Sequence, residues 1–289
     1  MRYDIVVIGG GPAGLSAAVQ GRQRNKSVLV LCMDPRDVPL AKAEQVDNYL
    51  GMPCQNGSQL LEAFLSHATA MGALCKKGRV LSVMPSGDGF LVGVGSEVEE
   101  AGAIILATGV QRGRKYPGEA ELLGAGVSYC ATCDGMLYRG RDVVVIGKSV
   151  DAPEEANYLQ GIGCRVTYVS GKEPEGLSPE IPFVKATKTA VYGEGKVGGV
   201  EANGKRLPCE GVFILRPTLA PSDVLPGLKL AGDYVEVSRD MATNIPGIFA
   251  AGDCTGLPLQ ISKAVGEGMV AGHRAAEYLD VQRERKGKA

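Results

Sequence analysis

Tryptophan is absent from the 289-residue sequence, and histidine occurs only twice, at His67 and His273. Both histidines fall on expected helices away from any motif, which leaves little room for histidine-centred acid–base or metal chemistry. Net charge is nearly absent as well: 31 basic against 32 acidic side chains leave −1. Nothing in that balance points to nucleic acid or to a membrane surface. No apolar run approaches the length of a membrane-spanning helix. No charged-then-apolar leader precedes the first strand pattern, so the expected compartment is the cytosol. Cysteine is plentiful at eight residues, but only Cys130 and Cys133 stand at motif spacing. A zinc site needs four ligands, and a second C-x-x-C or an H-x-x-x-H pair is missing, so no metal is expected. Cys32, Cys54, Cys75, Cys164, Cys209 and Cys254 read as small buried hydrophobes.

What is present centres on Cys130-Ala131-Thr132-Cys133-Asp134. In a reducing compartment such a pair is redox-active more often than structural. Two sulfurs at this spacing can cycle between dithiol and disulfide, and one thiolate can be tuned by its neighbour. The carboxyl of Asp134, directly after the second sulfur, is a candidate proton donor.

A dithiol needs an electron source, and the N-terminus suggests one. Tyr3 to Ile8 reads as a buried parallel strand running into Gly9-Gly10-Gly11-Pro12-Ala13-Gly14. A helix follows from Pro12 to about Arg24, then a strand from Ser27 to Leu31. Strand, G-x-G-x-x-G and helix together form a dinucleotide-binding βαβ unit. Gly9 makes the turn, Gly11 lets backbone approach a pyrophosphate, and Gly14 lets helix pack on strand. The usual ribose-binding acid is missing where Leu31-Cys32-Met33 stands, and Asp34 lies just beyond.

Residues 34–57 read as loop, and Ser58 as the cap of a helix from Gln59 to Met71. Strands are expected at Gly78–Met84, Gly89–Val94, Glu97–Glu100 and from Ala103 into Ala107-Thr108-Gly109. Gln111 to Gly118 reads as a linker. Asp142 to Gly147 then opens a second βαβ unit, with a helix to about Gln160 and a strand from Arg165 to Val169. Its phosphate loop is degenerate: Gly147 survives, Ser149 replaces the second glycine and Ala152 the third. Short strands fill residues 183–216. A second linker near Arg239 to Pro246 leads into Gly247 to Asp253, which ends in Gly252-Asp253. The last helix spans Gln260 to Leu279, with glycines that leave room for a flat or charged group, and a frayed basic tail runs from Arg283 to Lys288.

Over nearly its whole length the sequence resembles the low-molecular-weight thioredoxin reductases. The matching pieces are Gly9 to Gly14, Val46-Asp47-Asn48, Ala107-Thr108-Gly109, the Cys-Ala-Thr-Cys-Asp string and Pro246 to Asp253. The resemblance implies an α/β protein of two Rossmann-like domains, the second inserted in the first. Residues 1–112 and 242–289 would form the FAD-binding domain. Residues 113–241 would form a central domain carrying the dithiol on a degenerate NADPH-binding-like frame. It implies FAD at Gly9, Gly11, Pro12, Ala13, Gly14, Ala107, Thr108, Gly109 and Gly252. Asn48 would lie by the flavin, Asp253 near the ribityl chain, and Gln260 and Ile261 against the ring. Cys133 would face the flavin, Cys130 would attack the partner disulfide, and Asp134 would be the general acid. Thioredoxin is the implied partner and a homodimer the implied assembly.

One departure is large. NADPH-using members carry a full glycine loop and a His-Arg-Arg segment, where this sequence has Val169-Ser170-Gly171-Lys172. Ser149 places a side chain where a pyrophosphate must approach, and no guanidinium stands ready for a 2′-phosphate. In this the sequence resembles the ferredoxin-dependent flavin thioredoxin reductases, which implies ferredoxin as donor. Candidate docking charges are Arg22, Arg24 and Lys26, or Arg112, Arg114 and Lys115. The competing readings are NADPH held by Lys148 and Lys172, a related flavin enzyme serving another disulfide protein such as a peroxidase system, and a non-catalytic flavin-binding scaffold. The intact cysteine pair argues against the last.

Overall fold

The computed structural model describes residues 2–110 and 115–287. The chain folds as two compact units, Met1–Gln111 with Thr218–Ala289, and Arg112–Pro217.

The first unit begins with β1 (Arg2–Ile8), α1 (Pro12–Gln23) and β2 (Val28–Cys32). It continues through α2 (Gly57–Ala70), β3 (Leu74–Lys77), β4 (Val80–Ser86), β5 (Gly89–Val94) and β6 (Glu97–Leu106). The sheet order is β3-β2-β1-β6-β5-β4. Strands β3, β2, β1 and β6 run parallel, with Ile5 opposite Val28 and Ala103, and β4–β5–β6 form an antiparallel meander. Val6, Val7, Ile104 and Ile105 are fully buried, as expected for central parallel strands covered on both faces.

Strand β6 runs unbroken across Gly102, where the sequence reading had two strands. A Cβ at Gly102 would lie 2.7 Å from Leu279 Cδ2, so the glycine marks close helix packing and not a strand end. The cap of α2 is Asn56, whose Oδ1 accepts the Ser58 amide at 3.0 Å, two residues before the expected Ser58.

The second unit contains β7 (Val127–Ser128), α3 (Ala131–Asp134), β8 (Asp142–Gly147), α4 (Ala152–Gly161), β9 (Arg165–Ser170) and β10 (Phe183–Lys185). Then come β11 (Thr189–Gly193), β12 (Val197–Ala202), β13 (Lys205–Pro208) and β14 (Gly211–Leu215). The parallel sheet has order β10-β9-β8-β14-β7, and β11-β12-β13 is a separate antiparallel sheet. Directly after β14 comes one member of a buried ion pair. Arg216 donates to both Glu119 oxygens at 2.6 and 2.7 Å, and Tyr129 Oη and the Tyr116 amide donate at 2.9 and 2.7 Å.

The chain re-enters the first unit at Thr218, through α5 (Pro221–Val224), β15 (Leu230–Ala231), β16 (Tyr234–Val235), β17 (Ile248–Ala250) and α6 (Ile261–Gly287). The division at 217/218 stands well before the expected return at 242, because α5 packs on β4 and β16 on the turn after Gly252. Strand β17 pairs parallel with the end of β6. Helix α6 runs eight residues beyond the expected Leu279 and includes residues 283–287 of the expected frayed tail. Arg283 pairs with Asp4 at 2.6 Å, and Lys286 with Asp88. Gly268 and Gly272 also differ from expectation: a Cβ on either would overlap the Ala13 or Ala17 carbonyl of α1, so these glycines serve helix–helix contact. Among the described residues no helix is long and apolar enough to cross a membrane.

Candidate active site

In the first unit the glycine loop leaves the buried end of β1. Gly9 has φ +120°, and a Cβ there would overlap the Ala107 carbonyl, which binds the loop to the end of β6. A Cβ at Gly14 would overlap the Gly9 carbonyl. At Gly11 the nearest protein atom to such a Cβ is Val38 Cγ1 at 3.8 Å, so this glycine opens onto the space outside the loop. Gly11 is the N-cap of α1, with Pro12 behind it, no side-chain cap and no acidic residue in the first turn. The helix end thus presents amides and positive dipole, with no carboxylate in its first turn, which is what a pyrophosphate requires.

Two other segments join this loop. Gly252, at φ +86°, would bring a Cβ to 2.7 Å of the Ala13 Cβ. Its amide donates to Glu267 Oε2 at 2.8 Å, and Lys263 Nζ donates to the Gly252 carbonyl at 2.9 Å and to Glu267 at 3.1 Å. Asp253 follows at the start of a short 3₁₀ turn. The sequence reading missed Lys263 and Glu267; their spacing of four on α6 was the available signal. Asn48 Nδ2 donates to Gln260 Oε1 at 2.8 Å, and Ile261 opens α6 beside it. The structure therefore brings Asn48 and Gln260 together across 212 residues of sequence. Gly109 turns out of β6 at φ +69° behind Ala107 and Thr108. Asp34 is not free for a ribose: Arg36 bonds both its oxygens at 2.8 and 2.7 Å, with the Arg36 amide adding a third bond, and its pKa is held to about 2.

In the second unit Cys130 and Cys133 are joined by a disulfide, with Cα atoms 5.4 Å apart. Cys130 is buried and caps α3, its Sγ accepting the Cys133 amide at 3.1 Å. Cys133 is exposed. Asp134 Oδ2 accepts the Ser128 hydroxyl at 2.6 Å, and Glu155 of α4 accepts the Ala131 amide at 3.4 Å. Helix α3 is too short for its periodicity to be legible in the sequence. Among the described residues no group of three or more His, Cys, Asp or Glu could hold a metal ion.

The second glycine loop is built differently from the first. The Lys148 and Ser149 amides both donate to the Leu215 carbonyl, at 2.9 and 3.0 Å. Asp151 is the N-cap of α4, and Glu154 and Glu155 lie in its first turn. Gly147 survives for a reason unrelated to phosphate, since a Cβ there would overlap the Tyr168 hydroxyl. Lys148 Nζ lies 5.8 Å from the Tyr116 ring centroid, and the Arg216 guanidinium 5.2 Å from it.

Other expectations are corrected. Cys164, Cys209 and Cys254 are buried, but Cys54 and Cys75 are exposed and Cys32 is partly covered. Burial pushes the Cys209 thiol up to about 12 and the Cys32 and Cys254 thiols up to about 11, so these three stay protonated and inert. Lys26 is not a docking charge: it is 4% exposed and paired with Asp280, while Arg22 bonds the Met71 and Lys26 carbonyls at 3.1 and 2.7 Å. Arg112 and Arg114, with the linker start at Gln111, lie outside the described residues. His67 sits on α2, and His273 on α6 meets Arg24 at 2.8 Å.

Comparison with known proteins agrees with this geometry. The family profile described as pyridine nucleotide-disulphide oxidoreductase matches residues 3–268. A thioredoxin reductase of Listeria monocytogenes is 33% identical over 98% of this chain and 95% of its own. One from Bacillus subtilis is 32% identical over 98% and 96%. Among solved structures, a ferredoxin–flavin thioredoxin reductase from Clostridium acetobutylicum is 39% identical, covers 98% of this chain and 99% of its own, and superposes with a TM-score of 0.93. A thioredoxin reductase from Lactococcus lactis is 28% identical over 96% and 99%, with a TM-score of 0.57.

Proposed function

The chain belongs to the pyridine nucleotide-disulphide oxidoreductase family, as an FAD-dependent thioredoxin reductase, and on that premise we propose that its electrons come from a reduced iron–sulfur carrier of the ferredoxin type and not from NADPH. The observation that carries this reading is the second phosphate loop. Its Lys148 and Ser149 amides are already spent on Leu215, and Asp151, Glu154 and Glu155 stand at the helix end where a pyrophosphate would dock. Like charge at a helix N-terminus opposes an anion, and the segment after β9, Gly171-Lys172, carries no arginine to replace the missing donors. The ferredoxin–flavin relative from Clostridium lends further support.

The FAD pyrophosphate would lie on the open side of Gly11, at the amides of Pro12's helix, with Gly9 and Gly14 holding the loop shape. Asp253 would serve the ribityl chain, and Asn48, Gln260 and Ile261 the ring. Bound FAD supplies electron-pair chemistry to a disulfide and accepts electrons singly from a carrier. Everything after that belongs to the chain's own residues. Two electrons open the Cys130–Cys133 bond. The Cys133 amide, 3.1 Å from Cys130 Sγ, balances negative charge on that sulfur. Cys130 thiolate attacks the thioredoxin disulfide, forming a mixed disulfide and expelling one thioredoxin sulfur, which Asp134 protonates. Cys133 thiolate then attacks Cys130 Sγ, restores the internal disulfide and releases the second thioredoxin sulfur. Cys130 is only 6% exposed, so its attack on a protein disulfide requires that it first be uncovered.

The test is anaerobic. The oxidised holoprotein is mixed with NADPH, NADH or reduced ferredoxin, and flavin absorbance and thioredoxin thiols are followed. Bleaching by ferredoxin with thioredoxin reduction is expected. Rapid bleaching by NADPH with catalytic thioredoxin reduction would refute the proposal.

A further inference from the structure

Ser128 lies on β7, with its Cα partner Phe213 on β14, and is 5% exposed. Its hydroxyl has three polar neighbours: Asp134 Oδ2 at 2.6 Å, the Cys130 amide at 3.1 Å and the Cys130 carbonyl at 3.3 Å. A hydroxyl has one proton to donate. The short contact to a carboxylate takes it, since charge-assisted O–H···O bonds are the shorter and stronger ones. The oxygen's lone pair then accepts the Cys130 amide. One buried hydroxyl therefore ties the backbone of the first cysteine to the carboxyl four residues later.

We infer that Ser128 is a positioning residue of the reductase reaction, holding the Asp134 carboxyl in register with the dithiol. The inference rests on the reading of Asp134 as the general acid. Asp134 ends a four-residue helix, where its own backbone offers little to fix a side chain; its amide bond to the Cys130 carbonyl is 3.3 Å. A general acid must stay within hydrogen-bond reach of the sulfur it serves. With Ser128 gone, the carboxyl is free to turn to water, and proton delivery to the departing sulfur falls while thioredoxin docking is untouched.

The holoprotein is reduced anaerobically with dithionite, and the appearance of thioredoxin thiols is followed across thioredoxin concentration. Ser128→Ala is expected to lower kcat by about 10- to 100-fold, the range for a lost hydrogen bond to a charged group, with KM within about twofold. In an Asp134→Asn background the same change should matter less than about twofold, because the group it positions has lost its function. Ser128→Thr and Ser128→Val are nearly isosteric and differ by the hydroxyl. They carry the test should Ser128→Ala not fold, and Thr should exceed Val by the same factor. Full kcat in Ser128→Ala, additive losses with Asp134→Asn, or equal Thr and Val variants would overturn the inference. A wild-type chain inactive on thioredoxin would instead overturn the functional reading, and the same comparisons on a small aromatic disulfide would then decide the role of Ser128.

Discussion

Glu119→Gln isolates what holds the dithiol-bearing unit together. Glu119 is fully buried and its two oxygens take four donors: both Arg216 nitrogens, the Tyr116 amide and Tyr129 Oη. Burial alone would raise its carboxyl, but the Arg216 hydrogen bonds, the Tyr116 amide, the Arg216 charge and Tyr129 outweigh it, and the net direction is down. Glutamine keeps the size, removes the charge and turns one acceptor into a donor facing donors. Removing one partner of a buried ion pair costs about 3–5 kcal/mol, because the other charge stays buried. In a unit of this size each kcal/mol moves Tm by about 4–8 °C, so a fall of at least about 12 °C is expected. Calorimetry of the holoprotein, with flavin release marking the first unit, is the assay. Glu119→Gln combined with Arg216→Met removes both charges and should recover most of the loss. A depressed folded-state pKa means the stabilisation is complete above the carboxyl's ordinary value of 4.5 and is lost as pH falls through the folded value. A fall under about 3 °C, or a double variant worse than the single, would refute the reasoning.

Cys133→Ser should abolish both the internal disulfide and flavin-to-dithiol transfer, whereas Cys130→Ser should leave Cys133 able to interact with flavin but stop thioredoxin reduction; thiol counts after dithionite and turnover distinguish them. Asp134→Asn should slow turnover by a factor on the order of 10²–10⁴, and an unchanged rate would make it structural. Gly272→Val would drive a side chain into the Ala17 carbonyl and should deplete bound flavin, read as flavin absorbance per chain. Deleting residues 283–289 removes, among the described residues, the surface pairs of Arg283 with Asp4 and Lys286 with Asp88, so it should cost less than about 1 kcal/mol by thermal melting.

The elements most legible in the sequence are those whose pattern is local. β1 and β8 are continuous apolar runs ending in glycine, and both lie where they read. β3 escaped because its strand is largely exposed, with Leu74 at 55%, so no apolar run marks it. The tail from Arg283 to Lys288 reads as frayed because its basic residues look unpartnered in sequence, while the partners of Arg283 and Lys286, Asp4 and Asp88, are about 200 or more residues away. The site followed the same rule. The close-packed Gly9 and Gly14 and the paired Cys130 and Cys133 were legible from spacing. The Asn48–Gln260 bond depends on a chain crossing that no spacing encodes, the Lys263–Glu267 pair was signalled only by its spacing of four, and the Ser128–Asp134 contact depends on how β7 turns into α3.

The two βαβ units make a controlled comparison within one molecule. Both begin with a buried strand, a glycine turn and a helix, so the fold alone predicts two phosphate sites. They differ in what meets the anion. At α1 the cap is a glycine with no side chain over the helix end and no acid in the first turn; at α4 the cap is Asp151, followed by Glu154 and Glu155. The helix dipole has the same sign in both, so the carboxylates are stabilised at α4 by the field that would otherwise attract phosphate. One of them is engaged elsewhere: Glu155 accepts the Ala131 amide between the two cysteines, 3.4 Å away. The Leu215 carbonyl that occupies the loop amides precedes Arg216, whose guanidinium closes the buried pair with Glu119 and so reaches Tyr129, the neighbour of Cys130. The residue that fills the second phosphate loop is thus the chain neighbour of the arginine that braces the segment before the dithiol. Restoring a glycine at Ser149 alone would leave Leu215, Glu154 and Glu155 in place. On this reasoning Ser149→Gly does not by itself return pyridine nucleotide binding.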